Sequence, residues 1–92
     1  MSAPANVSLT RAVDLLVTGA WQDAHEIVQK ETSTTAAWLH GIVHILEGDL
    51  DNARYWYRRA KRAFPGPAAV EHEVAEARRA VDTPASTGQE KG

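Results

Sequence analysis

The sequence of 92 residues contains no cysteine, which excludes disulfide bonds, thiol nucleophiles and cysteine-ligated zinc. It also lacks a long apolar run, because His40 and His44 interrupt its most hydrophobic stretch well short of a membrane span. The formal net charge of −2 gives no indication of nucleic acid or a membrane surface as a partner. Residues 1–6 lack the basic and apolar regions of a signal peptide, and we therefore expect a cytoplasmic protein without membrane contact.

Motifs of the common catalytic classes are missing as well. The sequence has no Gly-x-Ser-x-Gly nucleophile motif, no glycine-rich phosphate loop and no strand pattern to support one. These absences favour a protein that is not an enzyme, and neither a cofactor nor a catalytic residue is predicted.

Apolar residues recur at helical spacing through most of the chain and predict an all-α protein. Five helices are expected, over about residues 8–18, 21–31, 35–47, 50–63 and 68–81. The third is apolar on most sides and should be central, whereas the fifth has a thin apolar stripe and should cap an edge of the core. The sequence thus predicts a single domain over residues 8–81, between a disordered N-terminus (1–7) and a disordered tail (82–92).

Two segments 29 residues apart share the pattern Gly-x-apolar-x-x-Ala, over residues 19–24 and 48–53. In each, the glycine is expected to end one helix, and the small alanine allows the next helix to pack closely against it. The pattern therefore predicts two antiparallel helical hairpins followed by the capping helix.

Six residues of the second hairpin occupy positions typical of a known repeat family: Gly41, Gly48, Ala53, Tyr57, Ala60 and Pro65. The hairpin resembles a tetratricopeptide (TPR) repeat, although His40 and His44 replace the Leu and Tyr of that family. The first hairpin matches only at Gly19 and Ala24. The resemblance implies a stack of helical hairpins that binds a protein or peptide. The stretches Trp38-Leu39-His40, Glu47-Gly48-Asp49 and 52–60 also resemble a small family of short uncharacterised proteins, which implies no function.

Histidines form the first candidate site. His40 and His44 are four residues apart and share one face of the third helix, and His25 lies on the helix expected to face it. Glu47 follows three residues after His44, and Tyr55 is a further polar neighbour. Imidazoles in this arrangement suit a transition metal. The alternative is a set of core histidines whose ring nitrogens are satisfied by hydrogen bonds.

Basic residues concentrate in the fourth helix and form the second candidate site. It contains five of the ten Lys and Arg residues, namely Arg54, Arg58, Arg59, Lys61 and Arg62, interleaved with Tyr55, Trp56 and Tyr57. Such a cluster suits an acidic peptide, a small anion or a nucleic-acid backbone. The alternative is a solvated or intramolecularly paired face, and the negative net charge argues against nucleic acid. Trp38 and Trp56 are candidate interface residues, because exposed tryptophans often mark binding surfaces.

The preferred interpretation is a non-enzymatic module that binds a protein or peptide. Its surface is expected in the groove of the first, third and fifth helices, or on the basic face with Arg54, Arg58, Arg59, Arg62, Trp38 and Trp56. Self-association is also expected, because a stack of two hairpins has unpaired ends. Two alternatives remain open. One is a small enzyme or metal-binding protein with a site at His25, His40, His44 and Glu47. The other is anion or nucleic-acid binding through helix 50–63.

Overall fold

The computed structural model describes residues 7–82, which form five α-helices and one short 3-10 helix and contain no strand. The helices are α1 (Val7–Val17), α2 (Trp21–Val28), α3 (Thr34–Glu47), α4 (Leu50–Arg59) and α5 (Val70–Asp82), with the 3-10 helix at Pro67–Ala69. The predicted all-α class is therefore confirmed. None of the helices in this part of the chain is long and apolar enough to cross a membrane.

Two residues that were predicted to lie in the disordered ends are helical. Val7 and Asp82 fall outside the predicted domain, but both are helical. The rest of the segments predicted to be disordered, residues 1–6 and 83–92, lies outside the described residues.

Two antiparallel hairpins, α1–α2 and α3–α4, stack through contacts between α2 and α3. Gly19 and Gly48 make the turns, with φ of 83° and 93°, values that residues with a side chain rarely adopt. Ala24 and Ala53 are fully buried, as expected for helices that pack closely. The repeated sequence pattern thus marks the two turns.

The central helix is α3, as predicted. Every residue from 36 to 45 is buried, and α3 contacts all four other helices. Gly41 allows the closest approach: a Cβ atom added there would lie 2.5 Å from Cδ1 of the buried Tyr57 on α4. This packing fixes α4 against the same helix that carries His40 and His44.

The capping helix α5 lies across α1 and α3. Ala77 is its one fully buried residue among those described, and polar contacts add to the attachment. Arg78 Nη1 lies 2.8 Å from Asp14 Oδ1 on α1. Glu73 Oε1 accepts hydrogen bonds from Trp38 Nε1 at 3.0 Å and from the Tyr57 hydroxyl at 2.7 Å.

Two helices end earlier than predicted. α2 ends at Val28 instead of Glu31, because the next amide groups form tighter i→i−3 hydrogen bonds. α4 ends at Arg59 instead of Ala63, where the Arg62 amide donates to the Tyr57 carbonyl at 3.0 Å. The intervening Lys61 adopts a left-handed conformation with φ of 63°.

Candidate metal centre

Three imidazoles meet between α2 and α3. His25 comes from α2, and His40 and His44 lie one turn apart on α3. The ring centroids are 4.7 Å apart for His25 and His40, 5.1 Å for His40 and His44, and 5.4 Å for His25 and His44. One ring nitrogen from each residue lies within 4.8 Å of the other two. The structure therefore brings together the three histidines singled out in the sequence; we call this set the three-imidazole group.

Burial distinguishes these rings from ordinary surface histidines. His40 is 6% exposed and His44 is 8% exposed, while His25 is half-buried. The Nε2 atoms of His25 and His40 are 3.0 Å apart, which is a hydrogen-bond distance. One Nε2 must carry a proton and the other must present its lone pair.

A carboxylate orients the third ring. Glu47 Oε1 lies 2.7 Å from His44 Nδ1. Because a carboxylate only accepts, Nδ1 carries the proton and Nε2 of the neutral ring keeps its lone pair. Asp49 lies near the same two residues, but its side chain caps α4 by accepting from the amide of Asn52. Glu47 therefore acts on His44 from outside the three-imidazole group.

The indole of Trp56 covers His40. The two rings are parallel within 7°, and their centroids are 3.8 Å apart. Burial, together with the charges of His25 and His44 when they are protonated, lowers the pKa of His40 to about 4. His40 is therefore a neutral imidazole at neutral pH, with its ring plane fixed by Trp56.

An open pocket of about 260 Å³ reaches the three-imidazole group from the α2–α3 loop. The end of α2, the start of α3 and the end of α4 form its wall. The residues that line it include Gln29, Glu31, Ser33, Thr34, His40, Trp56 and Arg59. Of the three histidines, His40 is the one that lines this pocket.

Tyr55 was predicted to lie beside the histidines, but it does not. Its side chain is on the exposed side of α4, and its hydroxyl accepts a hydrogen bond from Arg59 Nη1 at 3.3 Å. The reason is helical geometry. Trp56 and Tyr57 occupy the positions of α4 that face α3, and Tyr55 is rotated by about 100° from Trp56 and by about 200° from Tyr57.

The predicted basic face is divided. Arg54 pairs with Asp51 at 3.4 Å, and Arg59 lies beside the Tyr55 and Trp56 rings. Arg62 leaves this face because α4 ends early, and its guanidinium carbon lies 3.5 Å from the centroid of the Trp38 ring. Arg58 remains exposed on α4.

Trp38 was expected on a partner surface, but the structure buries it. It is 3% exposed, and its indole N–H is used by Glu73 on α5. Trp56 is half-buried against His40, a role that the sequence pattern did not reveal. The available signal was its position directly before Tyr57, which places it at the edge of the α4 stripe that faces α3.

A second open groove, of about 730 Å³, lies where α1, α3 and α5 meet. Apolar residues line most of it, including Leu16, Val17, Leu46, Val70 and Val74. Val17 is 55% exposed there.

Comparisons with protein-family models, with curated proteins and with solved structures found no match.

Proposed function

We propose that this protein binds a divalent transition-metal ion of the zinc class through His25, His40 and His44. The observation that carries the proposal is the Nε2–Nε2 distance of 3.0 Å between His25 and His40, with a nitrogen of His44 in the same group. Two imidazole ligands of a tetrahedral zinc ion are about 3.3 Å apart, because each Zn–N bond is about 2.0–2.1 Å. Coordination therefore requires only a small separation of the two rings.

Outer contacts that orient ligands support the proposal. Histidine ligands usually donate their second ring N–H to a carboxylate or carbonyl, which fixes the tautomer. Glu47 makes this contact with His44 at 2.7 Å, and Trp56 holds the plane of His40 by stacking. Two of the three rings are thus oriented without a metal.

The protonation state of the site also suits a metal. Only neutral imidazole binds a metal, and the low pKa of His40 keeps its ring neutral well below pH 7. A buried polar ring at a core position lowers stability unless it is fully satisfied. His40 and His44 are two such rings, and they are more costly than the apolar residues that would otherwise fill this seam between helices.

The donor set selects the class of ion. Imidazoles suit zinc, copper, nickel and cobalt, whereas magnesium and calcium require oxygen ligands. Three protein ligands are also the usual number in zinc sites that keep one position open for water or a ligand.

Cobalt titration of the full chain tests the proposal, because tetrahedral Co²⁺ absorbs visible light. We expect one Co²⁺ per chain, displaced by Zn²⁺, and His25→Gln should weaken binding by at least about 100-fold. His25 is half-buried, so this variant should fold, which circular dichroism verifies. The matched control is His72→Gln on α5, where the side chain is 69% exposed. Binding that is absent, or equally weakened in both variants, would refute the metal site.

A protein- or peptide-binding module remains the second candidate, and the apolar groove of α1, α3 and α5 favours it. Apolar side chains in an open groove, such as Val17, are typical of surfaces that bind a partner helix. The TPR resemblance is in line with this candidate. If the partner is a second copy of this chain, the protein should self-associate through the groove. Sedimentation of the wild type and of Val17→Asp tests this possibility. Association that depends on concentration and disappears in the variant would support it.

A further inference from the structure

The pocket beside His40 has room for a small ligand. Its volume of about 260 Å³ is many times the ~10–15 Å³ that one water molecule needs. His40 and Trp56 lie on one side of it, and Arg59 also lines it. A molecule in this pocket therefore lies next to one imidazole of the three-imidazole group and near a guanidinium.

Arg59 supplies the positive charge of this pocket. Its contacts are with the Tyr55 hydroxyl at 3.3 Å and with the aromatic rings of Tyr55 and Trp56, at 5.8 and 5.5 Å. Among residues 7–82 it forms no ion pair with a carboxylate. Glu31 is the acidic residue on the pocket wall. The guanidinium is thus available to pair with an anion from solution.

Protein carboxylates near the three-imidazole group are already committed. Glu47 accepts from His44, and Asp49 caps α4 through Asn52. Hydrogen bonds from Asn52 lower the pKa of Asp49, which keeps that carboxylate charged in the cap. An ion bound by three neutral imidazoles would keep nearly its full double positive charge, and no carboxylate belongs to the three-imidazole group itself.

Building on the proposed metal site, we infer that the fourth coordination position takes a small oxyanion, a carboxylate or a phosphate, from the pocket lined by His40 and Arg59. The metal attracts one oxygen of the anion, and Arg59 pairs with another. Trp56 provides the flat apolar wall between them. The ligand is small because the pocket is small. It is an anion because the metal and Arg59, the two groups proposed to bind it, are both cationic, whereas Glu31 on the same wall would repel it.

Anion titration of the cobalt-loaded full chain tests this inference. In a chloride-free buffer, we expect acetate or inorganic phosphate to change the visible Co²⁺ bands in a saturable manner. Arg59→Gln should raise the dissociation constant of that anion by about tenfold, measured with each variant saturated with Co²⁺. Arg58→Gln, which removes an exposed charge one residue away on α4, is the matched control and should have no effect.

Each outcome bears on a different claim. If Co²⁺ binds but its bands ignore both anions, the inference is wrong and the proposed metal site stands. If Arg58→Gln weakens the anion as much as Arg59→Gln does, general charge attraction is responsible and the pocket assignment fails. If Co²⁺ does not bind, both proposals fall. A response to only one anion identifies carboxylate or phosphate as the ligand.

Discussion

The indole of Trp56 lies face to face with the imidazole of His40, with 3.8 Å between ring centroids and 7° between planes. Trp56 belongs to α4 and His40 to α3, so the contact joins the two helices of the second hairpin. It covers one face of the most buried of the three imidazoles, while Nε2 at the ring edge lies 3.0 Å from Nε2 of His25 on α2. The stack therefore couples the packing of α4 to the orientation of a metal-binding ring.

Replacing the indole of Trp56 should weaken metal binding while the protein remains folded. We expect Trp56→Leu to weaken Co²⁺ binding by about tenfold, the scale seen when a contact that orients a ligand is removed. Trp56 is only half-buried, so the variant should keep the helical circular-dichroism spectrum of the wild type. Trp21→Leu is the matched control, since Trp21 is also half-buried but lies outside the three-imidazole group. Equal affinity in wild type and Trp56→Leu would show that the stack does not orient His40.

Glu47 should contribute to metal affinity through charge. Glu47→Gln keeps an oxygen that can accept from His44 Nδ1 but removes the carboxylate charge 2.7 Å from that nitrogen. We expect a 10- to 100-fold loss of Co²⁺ affinity, because a carboxylate partner makes the ligating imidazole more basic. Isothermal titration calorimetry measures the change, and Glu71→Gln on the exposed side of α5 is the control. If Glu71→Gln lost Co²⁺ affinity and Glu47→Gln did not, Glu47 would not be the residue that supports the metal site.

Stability of the metal-free protein should fall as the solution becomes acidic. The pKa of His40 is about 4 in the folded chain, whereas that of an unperturbed histidine side chain is 6.5. Between these values the unfolded chain binds more protons, so the free energy of unfolding decreases as pH falls from about 6.5 to 4. The full difference is on the order of 3 kcal/mol.

Urea unfolding at a series of pH values in the presence of a chelator measures this dependence. His40→Gln removes the group that titrates in this window, so the free energy of unfolding of the variant should depend less on pH there. Any residual slope comes from other groups. His25 and His44 lie against His40, and Glu47 contacts His44; all three remain in the variant and provide the background. An unchanged slope would mean that His40 titrates normally in the folded protein.

Helical hairpins and the histidine convergence were predictable from local sequence rules. Gly19 and Gly48 mark turns by their backbone freedom, and the i, i+4 spacing of His40 and His44 fixes a shared face on any helix. His25 could be added because a helix that follows a tight turn must pack against its neighbours. These inferences need only periodicity and turn chemistry.

Other features depend on contacts that no local rule supplies. Glu73 lies 35 residues from Trp38 in sequence, yet it accepts the indole N–H and so helps to bury a tryptophan predicted at the surface. Arg62 leaves the basic face because the backbone reverses at Lys61, a residue type that seldom adopts a left-handed conformation. The pattern of the fourth helix continues past this point, and the sequence therefore predicts a helix four residues too long.

This reversal leads to a last prediction, at the end of α4. Lys61 has φ of 63°, a conformation that is about 1 kcal/mol less favourable for a residue with a Cβ than for glycine. Lys61→Gly should therefore raise the free energy of unfolding by about 1 kcal/mol, whereas Lys61→Ala, which keeps the Cβ, should give no gain. Thermal and urea unfolding measure both variants. Because the turn directs Arg62 onto Trp38, the stabilised variant should also retain the wild-type tryptophan emission. If glycine and alanine behave alike, the left-handed turn is not formed in solution.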